Sequence, residues 1–292
     1  MEFRLDRTVF GQHFQNPILL AAGTAGFGRE LDGIVSLDRL GGIVTKAVSL
    51  LPRAGNPAPR VAEFPGGMLN SVGLANPGLK RVREEHLPWL AQRLSRARIL
   101  VNVVGFAEDE YAQVVAGLDG CPGITAYELN LSCPNTSAGG VEFGTTPAVT
   151  HRVVASCRRV TERPLVAKLS PPPALSWPDL ERVAEAAVEG GANGITVVNT
   201  LPGPPPGLDG PRLGQGNGGV SGPSLLPIGL QAVRAIRDRL PACVVIGVGG
   251  IGSTDDVLQY LEAGASLVAI GTAQLADPRL PERIVGELER RG

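Results

Sequence analysis

Thiols, imidazoles and lysines are all scarce in this sequence. Its 292 residues include four cysteines and three histidines. Cys121, Cys133, Cys157 and Cys243 form no C-x-x-C pair, and His13, His86 and His151 form no H-x-x-x-H pair. A zinc site is therefore not expected, and no set of four spaced thiolates is available to hold an iron–sulfur cluster. No apolar run approaches the ~18–20 residues that span a bilayer. The stretch from Met1 to Asp6 lacks the charged-then-apolar pattern of a secretory leader. Neither sign of charge dominates, with Lys+Arg 27 against Asp+Glu 28. Binding along nucleic acid or an anionic membrane needs a basic excess, so neither partner is expected. These absences together suggest a cytoplasmic protein with free thiols.

Glycine and proline are plentiful, at 39 and 25 residues, about twice ordinary usage. They punctuate eight short apolar runs, at 17–24, 41–49, 98–106, 126–135, 164–171, 194–200, 243–251 and 267–274. Most are continuous rather than alternating, as parallel strands buried on both faces require. Between them lie helical stripes, such as Leu180, Val183, Ala184, Ala187 and Val188, or Val153, Val154, Cys157 and Val160. Leu226, Leu230, Val233 and Leu240 form a third stripe, and Ser253 with Asp256 three residues on reads as an N-cap. Strand–helix alternation repeated eight times predicts an α/β fold, a (β/α)8 TIM barrel occupying 1–292 as a single domain. A doubly wound open sheet is the alternative. Three connections are long, at 50–77, 136–146 and 201–221, and all follow carboxyl ends of strands. In a barrel they would extend the rim where active sites are built.

Polar residues at the strand ends suggest where chemistry occurs. Asn102, Asn130 and Asn199 interrupt apolar strands, where an amide left without a hydrogen bond costs roughly 1–3 kcal/mol. One such asparagine is commonly a satisfied core residue, but three at equivalent strand ends point to a shared ligand. Lys46 and Lys168 are two of only three lysines in a chain that otherwise uses arginine. Both fall within strand runs, where a compact cation suits an anionic or electron-rich ligand; a snorkelling lysine is the plainer reading. The run from Gly247 to Gly252 matches G-x-G-x-x-G, but no acidic residue ends the following strand, so the dinucleotide fingerprint is incomplete. A barrel phosphate site built from Gly249, Gly250, Gly271 and Thr272, with Gly222 as a further donor, fits better. Tight turns without a ligand remain the alternative. Cys133 sits just past the fourth strand, before Pro134, and has no neighbouring histidine in sequence. It suits a base or nucleophile coupled to an electron sink better than a hydrolase nucleophile. Cys157 and Cys243 are expected in packing, and Cys121 in a surface turn.

Five stretches, in order along the chain, resemble one family. They are Gly55-Asn56-Pro57-Ala58-Pro59-Arg60, Asn70-Ser71-Val72-Gly73-Leu74-Ala75-Asn76-Pro77-Gly78, Asn130-Leu131-Ser132-Cys133-Pro134-Asn135, Val198-Asn199-Thr200 and Gly247 to Gly250. The sequence resembles the dihydroorotate dehydrogenases, flavin enzymes of pyrimidine synthesis. The resemblance implies FMN at the carboxyl rim, contacted by Thr24, Thr45, Lys46, Asn102, Asn130, Lys168, Val198, Gly222, Gly249, Gly250, Gly271 and Thr272. It implies dihydroorotate, or its product orotate, held by Lys46, Asn70, Ser71, Val72, Gly73, Leu74, Asn130, Asn135, Asn199 and Thr200, with Cys133 as the general base. Cysteine rather than serine as base resembles the soluble class 1. Asn76-Pro77-Gly78 resembles its NAD-linked branch, class 1B. That branch implies a homodimer joined by a separate electron-transfer subunit carrying FAD and a 2Fe-2S cluster, a heterotetramer. The sequence departs from the family's usual pattern in a Pro/Gly-rich segment at 201–219 and at Ala21 and Ala22. Two other readings stay open: a flavin-dependent reductase of transfer-RNA uridines, and a non-redox barrel binding a phosphorylated metabolite.

Overall fold

Eight parallel strands close on themselves in the computed structural model, which describes residues 4–132, 134–135, 141–170, 176–203 and 213–291. The strands are β1 (Ile18–Leu20), β2 (Gly42–Val44), β3 (Arg98–Val103), β4 (Ile124–Asn130), β5 (Leu165–Lys168), β6 (Gly194–Val197), β7 (Val244–Val248) and β8 (Leu267–Ile270). Each pairs with the next, and β8 returns to β1 through Val268 opposite Ile18. Closure excludes the doubly wound sheet. Every one of the eight apolar runs supplies one barrel strand.

Two apolar layers explain why the runs are continuous. On β8, Val268 and Ile270 face the outer shell of helices, while Leu267 and Ala269 face the barrel interior. Both faces are dry, so hydrophobic residues occupy successive positions. The interior layer is small, built from side chains such as Leu19, Val44, Leu100, Ala126, Val166 and Ile246. An antiparallel hairpin, Arg7–Val9 with Gln12–Phe14, adds Val9 and Phe14 to that layer.

The outer shell comprises α1 (Gly78–Arg81), α2 (Leu87–Arg93), α3 (Glu108–Leu118), α4 (Pro147–Arg158), α5 (Trp177–Glu189), α6 (Leu226–Arg239), α7 (Thr254–Glu262), α8 (Thr272–Ala276) and α9 (Leu280–Arg291). Between β1 and β2 two 3₁₀ turns, Arg29–Leu31 and Leu37–Arg39, take the place of a helix. Ser253 caps α7 by accepting a hydrogen bond from the Asp256 amide, as its spacing predicts. Leu180, Val183, Ala184 and Ala187 are fully buried on α5. The α4 stripe stops sooner than expected. The helix ends at Arg158, and Val160 lies in the following turn, 38% exposed. Leu240 likewise falls just past the end of α6, at its C-cap.

Loops from distant parts of the chain meet at the rim. Strands Val61–Phe64 and Gly67–Asn70 from the connection after β2 join Leu201–Pro202 and Gly219–Ser221 from the connection after β6. Together they form one four-stranded antiparallel sheet, in which Asn70 pairs with Gly219. Of the connection after β4, residues 136–140 lie outside the described residues, while Asn135 pairs with Val141. Among the described residues, no helix is long and apolar enough to cross a membrane.

Candidate active site

Strand geometry collects the predicted polar residues at one end of the barrel. Alternation on β4 turns Tyr127 and Leu129 outward and Ala126 inward, so Glu128 and Asn130 share the inner face with Ala126. Asn102 on β3 lies opposite Glu128, and Lys168 on β5 lies opposite Asn130 on one side and Thr196 on the other. Lys168 is only 7% exposed, a buried cation beside the half-buried Asn130. Thr45 and Lys46 continue β2 into the rim. The Lys46 amide donates to the Gly26 carbonyl (2.7 Å), and the Asn102 amide donates to Thr45 Oγ1 (3.2 Å). These bonds tie the ends of β2 and β3 to the loop after β1.

The polar accounting at this rim is incomplete within the protein. Asn102 Oδ1, Asn130 Oδ1 and Ser132 Oγ are buried and have no partner among the described residues. Each such atom carries a desolvation penalty of about 1–3 kcal/mol, so three on β3, β4 and the turn after it call for a polar ligand. The backbone around them is anchored independently. Tyr111 Oη donates to the Asn130 carbonyl (2.7 Å), and the Gly144 amide donates to the Leu131 carbonyl (2.8 Å). Asn102 Nδ2 donates to Glu128 Oε1 (2.7 Å).

The glycine turns are shaped mainly by the protein itself. Gly249 and Gly250 have φ of +123° and +74°, and a Cβ on Gly250 would lie 2.4 Å from the Leu226 amide nitrogen. Tyr260 donates from Oη to the Gly249 carbonyl (2.7 Å). Gly271 differs. A Cβ there would meet nothing closer than 3.5 Å, so neighbouring side chains do not demand glycine, and the room lies beside Thr24 and Ala21. Thr24 Oγ1 donates to the Ala21 carbonyl (2.9 Å), and Thr272 begins α8 next to Gly271. Val198 is buried, its amide bonded to the Val248 carbonyl, and Gly222 packs against the hairpin at Gly67.

Of the residues expected against substrate, Asn70 lies in the rim sheet and Thr200 stands beside it. A Cβ on Gly219 would meet Thr200 Oγ1 and lie 3.6 Å from Asn70 Nδ2, so those two side chains flank one backbone position. Asn70 Nδ2 also donates to the Gly219 carbonyl (3.1 Å). Ser71, Val72 and Gly73 wrap around Asn56, whose Nδ2 donates to Ser71 Oγ (2.8 Å) and whose amide donates to the Val72 carbonyl. Leu74 adopts φ +57°, a left-handed conformation costly for a leucine. It is held by Asn76, which donates from Nδ2 to the Leu74 carbonyl and accepts at Oδ1 from the Gly78 amide. Asn199, half-buried, donates from its amide to the Leu169 carbonyl (3.1 Å). Cys133 lies outside the described residues, and Asn135 contributes its backbone only.

Two further polar side chains inside the barrel, Glu128 and Thr196, are not among the residues predicted from sequence. A charge two residues before Asn130, on the same strand face by the period of two, was the available signal. A cleft of about 450 Å³ on the helical shell, lined by residues that include Arg29, Arg81, His86 and Trp89, contains none of the strand-end residues.

The other thiols are packing residues. Burial pushes Cys157 up to about 12 and Cys243 up to about 11. Cys121, expected in a surface turn, is buried against the outer core, and burial raises its pKa too. At pH 8 these groups are almost entirely protonated and shielded. Brief iodoacetamide treatment of the folded protein should leave all three unmodified by mass spectrometry, and labelling at the rate of denatured protein would contradict this placement.

A profile of the family described as dihydroorotate dehydrogenase matches residues 4–291. The chain belongs to the dihydroorotate dehydrogenase family. It is 42% identical over 282 residues to "Dihydroorotate dehydrogenase B (NAD(+)), catalytic subunit" of Pelobacter propionicus, covering 96% of this chain and 90% of that one. It is 41% identical over 292 residues to the Listeria monocytogenes protein of the same name, covering 99% and 93%. Among solved structures, DHODH from Eimeria tenella in complex with ferulenol superposes with a TM-score of 0.83 at 23% identity, over 98% of this chain and 83% of that one. That likeness concerns the barrel. Dihydroorotate dehydrogenase membership rests on the profile and on the two bacterial relatives.

Proposed function

We propose that this chain oxidises (S)-dihydroorotate to orotate with FMN as hydride acceptor, in de novo pyrimidine synthesis, and that the barrel with its rim sheet is one catalytic unit. The observation that carries the reading is the cluster of unpartnered buried polar atoms, Asn102 Oδ1, Asn130 Oδ1 and Ser132 Oγ, at the strand ends beside the buried Lys168. Flavin and dihydroorotate both present ring N–H groups and carbonyls, which amides match with acceptors and donors.

The chain's own residues divide the work. Thr45, Lys46, Asn102, Asn130, Lys168 and Val198 would hold the ring of FMN. Gly222, Gly249, Gly250, Gly271, Thr272 and Thr24 would hold its ribityl phosphate end. Bound FMN supplies the two-electron acceptor for the hydride that leaves substrate C6. Cys133, as thiolate, would take the C5 proton, so that the C5–H pair of electrons becomes the new C5–C6 double bond. Lys168 would offset negative charge that gathers on the reduced ring. Lys46, Asn70, Ser71, Val72, Gly73, Leu74, Asn130, Asn135, Asn199 and Thr200 would orient the substrate, and the rim sheet would keep water from the carbon acid.

The two bacterial relatives are catalytic subunits named for NAD(+). We extend that to this chain: a cytoplasmic homodimer that passes electrons to NAD through a separate subunit carrying FAD and a 2Fe-2S cluster. Among the described residues, no group of three His, Cys, Asp or Glu side chains could hold a metal. The test is an anaerobic titration. The purified protein should be yellow, dihydroorotate should bleach its flavin, and NADH alone should not. A colourless protein with no releasable flavin would instead favour a barrel binding a phosphorylated metabolite, and rapid direct reduction by NADH would defeat the two-subunit arrangement.

A further inference from the structure

Glu128 is a carboxylate inside the barrel, 1% exposed, on the same inner strand face as Ala126 and Asn130. Both of its oxygens are engaged: Oε1 accepts from Asn102 Nδ2 (2.7 Å) and Oε2 from Thr196 Oγ1 (2.8 Å). With both oxygens accepting, it holds the nitrogen end of the Asn102 amide and repels the oxygen end. The amide is thereby fixed in one of two orientations, and its oxygen is the buried atom left without a partner.

We infer that Glu128 is a positioning residue that sets Asn102 to accept a hydrogen bond from the N3–H of the flavin ring, the one N–H of the oxidised isoalloxazine. The inference rests on the FMN reading above. Thr196 completes the arrangement by holding the second oxygen, so that the carboxylate cannot rotate away from Asn102. The carboxylate's identity matters as well as its size. A glutamine of the same shape offers both a donor and an acceptor, and would allow either orientation of Asn102.

The test uses apoprotein reconstituted with FMN, and with ¹⁵N-labelled FMN for NMR. Glu128→Gln should weaken FMN binding by about tenfold, the scale of one neutral hydrogen bond, and should move the flavin N3 resonance. In an Asn102→Ala background the same change should alter FMN affinity less than about twofold, because its target is gone. A folded Glu128→Gln protein with wild-type affinity and an unmoved N3 resonance overturns the inference. So does an equal loss with and without Asn102, which would mean that Glu128 acts by packing alone. If Glu128→Gln does not fold, Thr196→Val carries the test. It frees one carboxylate oxygen and should weaken FMN about threefold, and unchanged affinity is again fatal. Wild-type apoprotein that takes up no FMN would instead bring down the flavin reading, and this inference with it.

Discussion

Cys133→Ala is expected to retain FMN and to slow anaerobic bleaching by dihydroorotate by ~10²–10⁴-fold, the range for loss of a positioned general base. The C5 proton of dihydroorotate is weakly acidic, so its removal needs a base held against it. The neighbouring backbone is fixed by bonds that do not involve the thiol: Tyr111 to the Asn130 carbonyl, and Gly144 to the Leu131 carbonyl. Removing the sulfur should therefore leave the flavin cradle in place. Stopped-flow at several pH values gives a sharper version of the test. If the thiolate is the reactive form, bleaching should speed up as pH rises through the ordinary thiol range near ~8.5, or lower where the site favours the anion. Cys133→Ser should displace that rise to higher pH, since a hydroxyl loses its proton far less readily. Bleaching kinetics that neither Ala nor Ser alters would remove Cys133 from the mechanism.

The barrel was legible because its strands are buried twice. A run such as 164–171 needs no partner to be recognised, and β5 sits inside it. The polar residues at the strand ends were legible for the same reason: Asn102, Lys168 and Asn130 interrupt patterns that have no local use for them. Other features depend on pairings that no local window contains. Gly67–Asn70 finds Gly219–Ser221 across some 150 residues, so the rim sheet emerges only when the barrel brings the ends of β2 and β6 to the same side. The connection after β1 carries apolar residues, Leu31, Val35 and Leu37, yet closes with 3₁₀ turns rather than a helix. Glu128 reads in sequence as a charge beside an asparagine. Its meaning comes from Thr196, which stands two strands away and reaches it across β5.

The turn after β7 is expected to respond most sharply to a single methyl. Gly250→Ala places a Cβ 2.4 Å from the Leu226 amide nitrogen, a backbone atom that cannot swing aside. It also asks an L-residue to hold φ +74°, which costs roughly 1–2 kcal/mol before any clash. Relief would require either the turn or the start of α6 to shift. The turn is held by Tyr260 through the Gly249 carbonyl, and Gly247 packs so closely on the Tyr260 ring that a Cβ there would lie 2.3 Å from it. A strained turn clamped on one side has little choice but to move its backbone on the other. The expected result is a fall in apoprotein melting temperature of about 3 °C or more, from a loss of at least ~2 kcal/mol, together with a loss of FMN affinity of at least about tenfold. Inorganic phosphate separates the two effects. If Gly250 helps to form a phosphate site, phosphate at millimolar concentration should raise the melting temperature of the wild-type apoprotein and should do so less for Gly250→Ala. Equal stabilisation of both proteins would show that these glycines serve only the turn.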